Sequence, residues 1–179
     1  MPQAARTRIK PRARFKGVSG MTFKLSAQLD FAEDPRKPFE EYRSYIKENG
    51  HKFPKSVLDL IESEKWSGGS DSVAPYYSEV NVVQVRDLGK PEAELELNLH
   101  KEMYTPSLIE ISIKYRGLID VHIPTLMDLD CNKMIWRYDQ FLLEKSETDQ
   151  KIFKHQIEWV GGDIWSITAS DIKVSWKNH

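Results

Sequence analysis

The sequence predicts an α+β fold: one strand, two helices and then about seven mostly antiparallel strands, forming a strongly curved sheet or partly closed barrel with the helices packed against it. Three observations lead there. Apolar residues recur at every second position through most of the chain beyond residue 78. Before that point two segments carry apolar residues at three- and four-residue spacing. Between the two halves lies Ser67-Gly68-Gly69-Ser70-Asp71-Ser72, a stretch with the composition of a loop. A length of 179 residues suits one domain with a sizeable core, and we place that domain at residues 21–179.

The first strand is set by Phe23, Leu25, Ala27, Leu29 and Phe31, which alternate with Lys24, Ser26, Gln28 and Asp30. A first helix begins after Asp34-Pro35, carries Phe39, Tyr42, Tyr45 and Ile46 on one side, and stops at Asn49-Gly50. Pro54 suits the first position of a second helix, whose Val57, Leu58 and Ile61 share a face. From Ser78 to Arg86 the run Val80, Val82, Val83, Val85 breaks strict alternation and implies a bulge. Ala93 to His100 alternates cleanly, with Ala93, Leu95, Leu97 and Leu99 inward. Ile109, Ile111, Ile113 and Tyr115 mark the next strand, Gly117 a break, and Ile119, Val121 and Ile123 another, ended by Pro124.

Met134 to Leu143 is apolar on both faces and reads as a central strand. Residues 144–150 make a polar hairpin loop returning into Lys151 to Val160, where Phe153, His155, Ile157 and Trp159 share a face. Gly161-Gly162-Asp163 is a tight turn. Ile164 to Ala169 follows, and then Ile172, Val174 and Trp176 alternate with Asp171, Lys173 and Ser175.

Charge divides the chain. Residues 1–20 hold six basic side chains, Arg6, Arg8, Lys10, Arg12, Arg14 and Lys16, and no acid. Taking those from 26 basic residues leaves 20 against 27 acidic, so the remainder carries −7. Basic residues at every second position, interrupted by Pro2 and Pro11, fit neither an amphipathic helix nor a half-buried strand, so a flexible arm is expected. Three readings stand beside one another: an extension ahead of a start at Met21, an Arg-rich transit peptide, and a phosphate-binding tail with salt-dependent affinity. An acidic body is a poor platform for nucleic acid, which leaves only the arm for that role.

A 40% aliphatic and aromatic content with 30% charged residues fits a globular chain, and no apolar run reaches membrane-spanning length. With a single cysteine, Cys131, and no apolar signal segment, the expected compartment is the cytoplasm.

Catalytic and metal chemistry finds little footing. Asp120 and His122 share a strand face, with His100, Glu102 or Asp128 as conceivable third ligands, but no spacing motif joins them and a solvated face accounts for both. Cys131 has Lys133 nearby and no histidine at motif distance. Asp128 and Asp130 lack the glycine and spaced acids of a calcium loop, and the Gly pairs lack the lysine of a phosphate loop. We therefore assign no catalytic residue, no metal and no cofactor.

Two segments do concentrate polar groups among aromatics. In Trp136-Arg137-Tyr138-Asp139-Gln140-Phe141, alternation places Arg137 and Asp139 on one face, as a structural ion pair or a ligand-orienting clamp. His155 stands in an apolar row and needs a polar partner. Two functions follow. One is a non-enzymatic binding or protein-interaction protein, indicated by the missing catalytic set and the acidic body. The other is a binder of a small hydrophobic or aromatic ligand, or an enzyme, with a cup lined by Trp136, Arg137, Asp139, His155 and Trp159. A cavity on which Arg137 and His155 converge would favour the second, and a filled interior the first.

Overall fold

A computed structural model of the chain describes residue 34 and residues 36–67, 73–87, 89–102, 108–123, 134–160 and 162–179. The expected first strand, the basic arm, Asp128, Cys131 and Lys133 lie outside the described residues.

Helix α1, Lys37–Asn49, follows Asp34, whose carboxylate accepts the Arg36 backbone N–H at 3.0 Å. A proline in the first turn costs no hydrogen bond there, because those N–H groups have no intrahelical acceptor. Its end departs from the expected glycine stop: Gly50 keeps right-handed angles and the chain tightens into a 3-10 turn, Gly50–Lys52. Pro54 is the residue just ahead of α2, Lys55–Ile61, which buries Val57 and Leu60. A third, one-turn helix, α3, Glu64–Ser67, was not visible as periodicity, since one turn is too short to show any; it carries the buried Trp66.

Among the described residues eight strands follow: β1 Glu79–Arg86, β2 Glu94–Glu102, β3 Leu108–Arg116, β4 Asp120–His122, β5 Trp136–Glu144, β6 Ile152–Trp159, β7 Ile164–Ala169 and β8 Asp171–Asn178. All pairings are antiparallel. The strand count had pointed to one strongly curved sheet or partly closed barrel. The strands instead form two four-stranded sheets, ordered β1-β2-β3-β8 and β4-β7-β6-β5. The division has a local cause. Two long segments, β3 into β4 and β7 into β8, both break at the same height, at Gly117 and Ser170. Gly117 has φ +58, and a Cβ there would stand 2.1 Å from Ser170 Oγ, so glycine lets the two bends nest. Across the other edges, Glu79 bridges Ile135, and the Trp136 N–H donates to Ser78 O at 2.9 Å.

The bulge expected in β1 falls between Val80 and Val82. The alternation of β2 and β3 also holds: Leu95, Leu97, Leu99, Ile111, Ile113 and Tyr115 are fully buried. They join Phe153, Ile157, Trp159, Trp165 and Ile167 of the second sheet, and Phe53, Val57 and Trp66 of the helical region, in one continuous core.

The central place expected for β5 needs correction, because among the described residues β5 is the last strand of its sheet. Its apolar character on both sides has another origin. Helix α1 lies along this edge, where Tyr42 Oη accepts the Phe141 N–H at 2.7 Å and Tyr45 Oη accepts the Leu143 N–H at 2.8 Å. Two tyrosines thereby cover backbone groups that an open edge would expose.

Candidate functional site

The residues singled out from sequence gather around β5 and β6, but a bulge rearranges them. Trp136 pairs with Trp159 and Tyr138 with Glu158, so Arg137 is an extra residue. An added residue reverses the facing of everything beyond it. Trp136 and Asp139 consequently lie on the same inward side, while Arg137 lies outside, 3.4 Å from the Glu158 carboxylate and with its guanidinium 5.2 Å from the Tyr138 ring centre. The shared face expected for Arg137 and Asp139 does not form, and Arg137 does not converge with His155.

Inside, Asp139 is the hub. Its carboxylate accepts the Trp66 indole N–H at 3.2 Å and the Trp136 indole N–H at 3.3 Å, and meets His155 Nε2 at 3.0 Å. His155 Nδ1 is 2.7 Å from the Tyr115 hydroxyl. Donor accounting fixes one proton: a carboxylate has none to give, so Nε2–H donates to Asp139, and Nδ1 shares a hydrogen bond with the Tyr115 hydroxyl. Both ring nitrogens of the imidazole have a partner. Burial raises the Tyr115 phenol well above its ordinary pKa, and the Asp139 charge raises it further.

A tyrosine, histidine and carboxylate in series could relay a proton, but the surroundings decide against access. His155 is fully buried, Trp136 is 0% and Trp159 2% exposed. Phe141 stacks on the imidazole at 4.1 Å and 12°, and Trp66, Trp136 and Tyr115 close the remaining sides at 5.7 to 5.9 Å. No side of the imidazole is left for a substrate. Asp139 reaches the exterior, with 18% of its side chain exposed, and Trp66 is 9% exposed.

The other candidates are scattered. Asp120 and His122 are exposed on β4, as a solvated face requires. Among the described residues no three His, Cys, Asp or Glu side chains come together as a metal site. His100 instead lines a groove of about 270 Å³ on the first sheet with Asn81, Asn98, Glu110, Ser112 and Lys177. There the polar groups satisfy one another: Asn81 Nδ2 meets His100 Nε2 at 3.1 Å, and Glu110 meets His179 at 2.9 Å, a contact that holds the Glu110 carboxyl below its usual pKa.

Sequence reasoning missed a cluster outside the bulge. Tyr77 and Tyr76 lie with ring centres 4.6 Å apart, Tyr76 and Tyr138 at 5.6 Å, and Tyr138 and Phe39 at 6.4 Å. Tyr77 is 58% and Phe39 38% exposed. Burial, and then hydrogen bonding to Tyr138 and Tyr77, raise the Tyr76 phenol above its usual pKa. The one available signal was Pro75-Tyr76-Tyr77, where consecutive aromatics beside a proline cannot both enter a core.

Among the described residues no helix is long and apolar enough to cross a membrane. Comparison with known protein families, with curated protein sequences and with solved structures finds no match.

Proposed function

We infer that this is a non-enzymatic binding protein that works through its surface and engages another protein. The observation carrying the reading is the occupancy of the interior. The cup expected from Trp136, Asp139, His155 and Trp159 is filled by their own rings and by Trp66 and Phe141, and the polar atoms of Trp136, Asp139 and His155 are spent within it, leaving the buried Trp159 indole N–H as its one unpartnered group. Ligand pockets keep a few polar groups unspent to orient what they bind. The acidic balance outside the basic arm argues in addition against nucleic acid as the body's partner.

Thermal unfolding of the full chain across a metabolite panel tests this. A ligand that binds only the folded state must raise the melting temperature by mass action, and no such shift is expected. Affinity purification from cells should recover a stoichiometric protein partner that His155→Phe retains. A metabolite hit abolished by His155→Phe in a folded variant would replace the interaction reading with the small-ligand one.

A further inference from the structure

Resting on that reading, we propose that the tyrosine row Tyr77, Tyr76, Tyr138 and Phe39 is the docking surface, and that it takes an uncharged proline-rich segment of a partner protein in the polyproline II conformation. The row is contiguous and partly exposed, and its backbone is set to display it. Tyr77 adopts φ +62, a left-handed conformation that a bulky residue rarely keeps, and one that places most of a large ring in solvent. Its N–H donates to Trp136 O at 2.8 Å, and Ser78 N–H donates to Pro75 O at 2.9 Å, so the conformation is tied to β5. Strain held at an exposed aromatic points to a role for that aromatic.

The chemistry of the row selects the occupant. Ring faces accept proline rings, and phenol hydroxyls can donate to carbonyls. A polyproline II segment offers both, because it makes no internal hydrogen bonds. End to end, the ring spacings span at most about 17 Å, the length of about five such residues. The charged groups around the row nearly cancel, with one acid, Glu79, in excess. Arg137 pairs with Glu158, Glu79 follows Tyr77 by two residues, and Glu40 and Arg43 flank Phe39 along α1. A neutral segment meets no repulsion there, and a strongly charged one gains little from a single excess charge.

Fluorescence anisotropy on the full chain with a labelled oligoproline peptide tests the proposal, with an alanine-substituted peptide and lysine- and glutamate-bearing peptides as comparisons. Oligoproline should bind with a Kd of about 10 to 100 µM, with little salt dependence, and the alanine peptide should not. Tyr77→Gly removes the ring while suiting the positive φ, so the fold is kept and binding should fall about tenfold; Tyr138→Leu supplies a second loss. Failure of oligoproline to bind, equal binding of the charged peptides, or binding unchanged in both variants would overturn the proposal. Self-association abolished by Tyr77→Gly would also overturn it, by making a second copy the occupant. The broader reading survives these failures if a purified partner still binds, and falls only to the metabolite result described above.

Discussion

Within four residues, strand β5 turns two different chemistries to its two sides. Inward, Trp136 and Asp139 join His155, Tyr115 and Trp66 in a network whose hydrogen bonds all end on one another. Outward, Arg137 and Tyr138 join a row of rings that remains partly in solvent. The bulge between Trp136 and Tyr138 makes the separation. The inner network has the residue types of an active site and the accessibility of a core, whereas the outer row has ordinary residue types in unusual positions. Chemistry that is satisfied internally stabilises, and chemistry left facing water is available to bind.

If the comparison is right, damage to the inner network should appear as lost stability. Asp139→Leu removes the acceptor for three buried N–H donors and should cost about 3 kcal/mol in urea unfolding. His155→Phe, which strands Tyr115 and one carboxylate position, should cost about 2 kcal/mol. A folded Asp139→Leu variant of unchanged stability that had lost partner binding would break the comparison, by moving function inside.

The inner network and the α1 edge also set the alkaline response. Burial raises both Tyr115 and Tyr42, so the folded state holds these protons after the unfolded chain releases them near pH 10. Their contribution is intact below that pH and is lost as pH rises above it, by about 1.4 kcal/mol per pH unit for each phenol. Stability measured upward from pH 10 should fall steeply, and Tyr115→Phe should make the fall shallower. An equal slope in wild type and variant would show that Tyr115 is not held protonated.

Much of the fold was legible because half-buried strands write their facing into the sequence. Leu95, Leu97, Leu99, Ile157 and Trp159 are buried as their alternation requires. The network at β5 was legible only in part. His155 announced a need for a partner, but a bulge at Arg137 leaves no mark in hydrophobic pattern, and one extra residue put Arg137 and Asp139 on opposite faces. Nor could periodicity place β5 at an edge, since Tyr42 and Tyr45 approach it from about 100 residues away. The parting of the sheets at Gly117 and Ser170 depends on two bends meeting in space, which neither segment shows alone.

That edge gives a smaller test. Tyr45→Phe keeps the ring and removes the acceptor of the Leu143 N–H, so it should cost about 1 kcal/mol. Hydrogen exchange at Leu143 should quicken more than at Phe153 on β6. Uniform exchange along β5 and β6 would mean that the tyrosine does not seal the edge.

The smallest expected effect on stability lies in the outer row and separates the two sides of β5 most sharply. At φ +62 a tyrosine holds a backbone state that glycine reaches without steric penalty, a difference of about 1 kcal/mol in favour of Tyr77→Gly. Against this stand the lost ring contact with Tyr76 and the greater freedom of glycine in the unfolded chain. With 58% of Tyr77 exposed, little buried area is lost with the ring. The terms are similar in size and opposite in sign, so Tyr77→Gly should melt within about 4 °C of wild type. A core residue could not be truncated this far without a cost of about 3 kcal/mol or more. If Tyr77→Gly melts much lower, the ring serves packing and the left-handed backbone is a structural necessity. If stability holds while partner binding is lost, the strain at Tyr77 is kept for recognition, and the outer side of β5 is where this protein meets its partner.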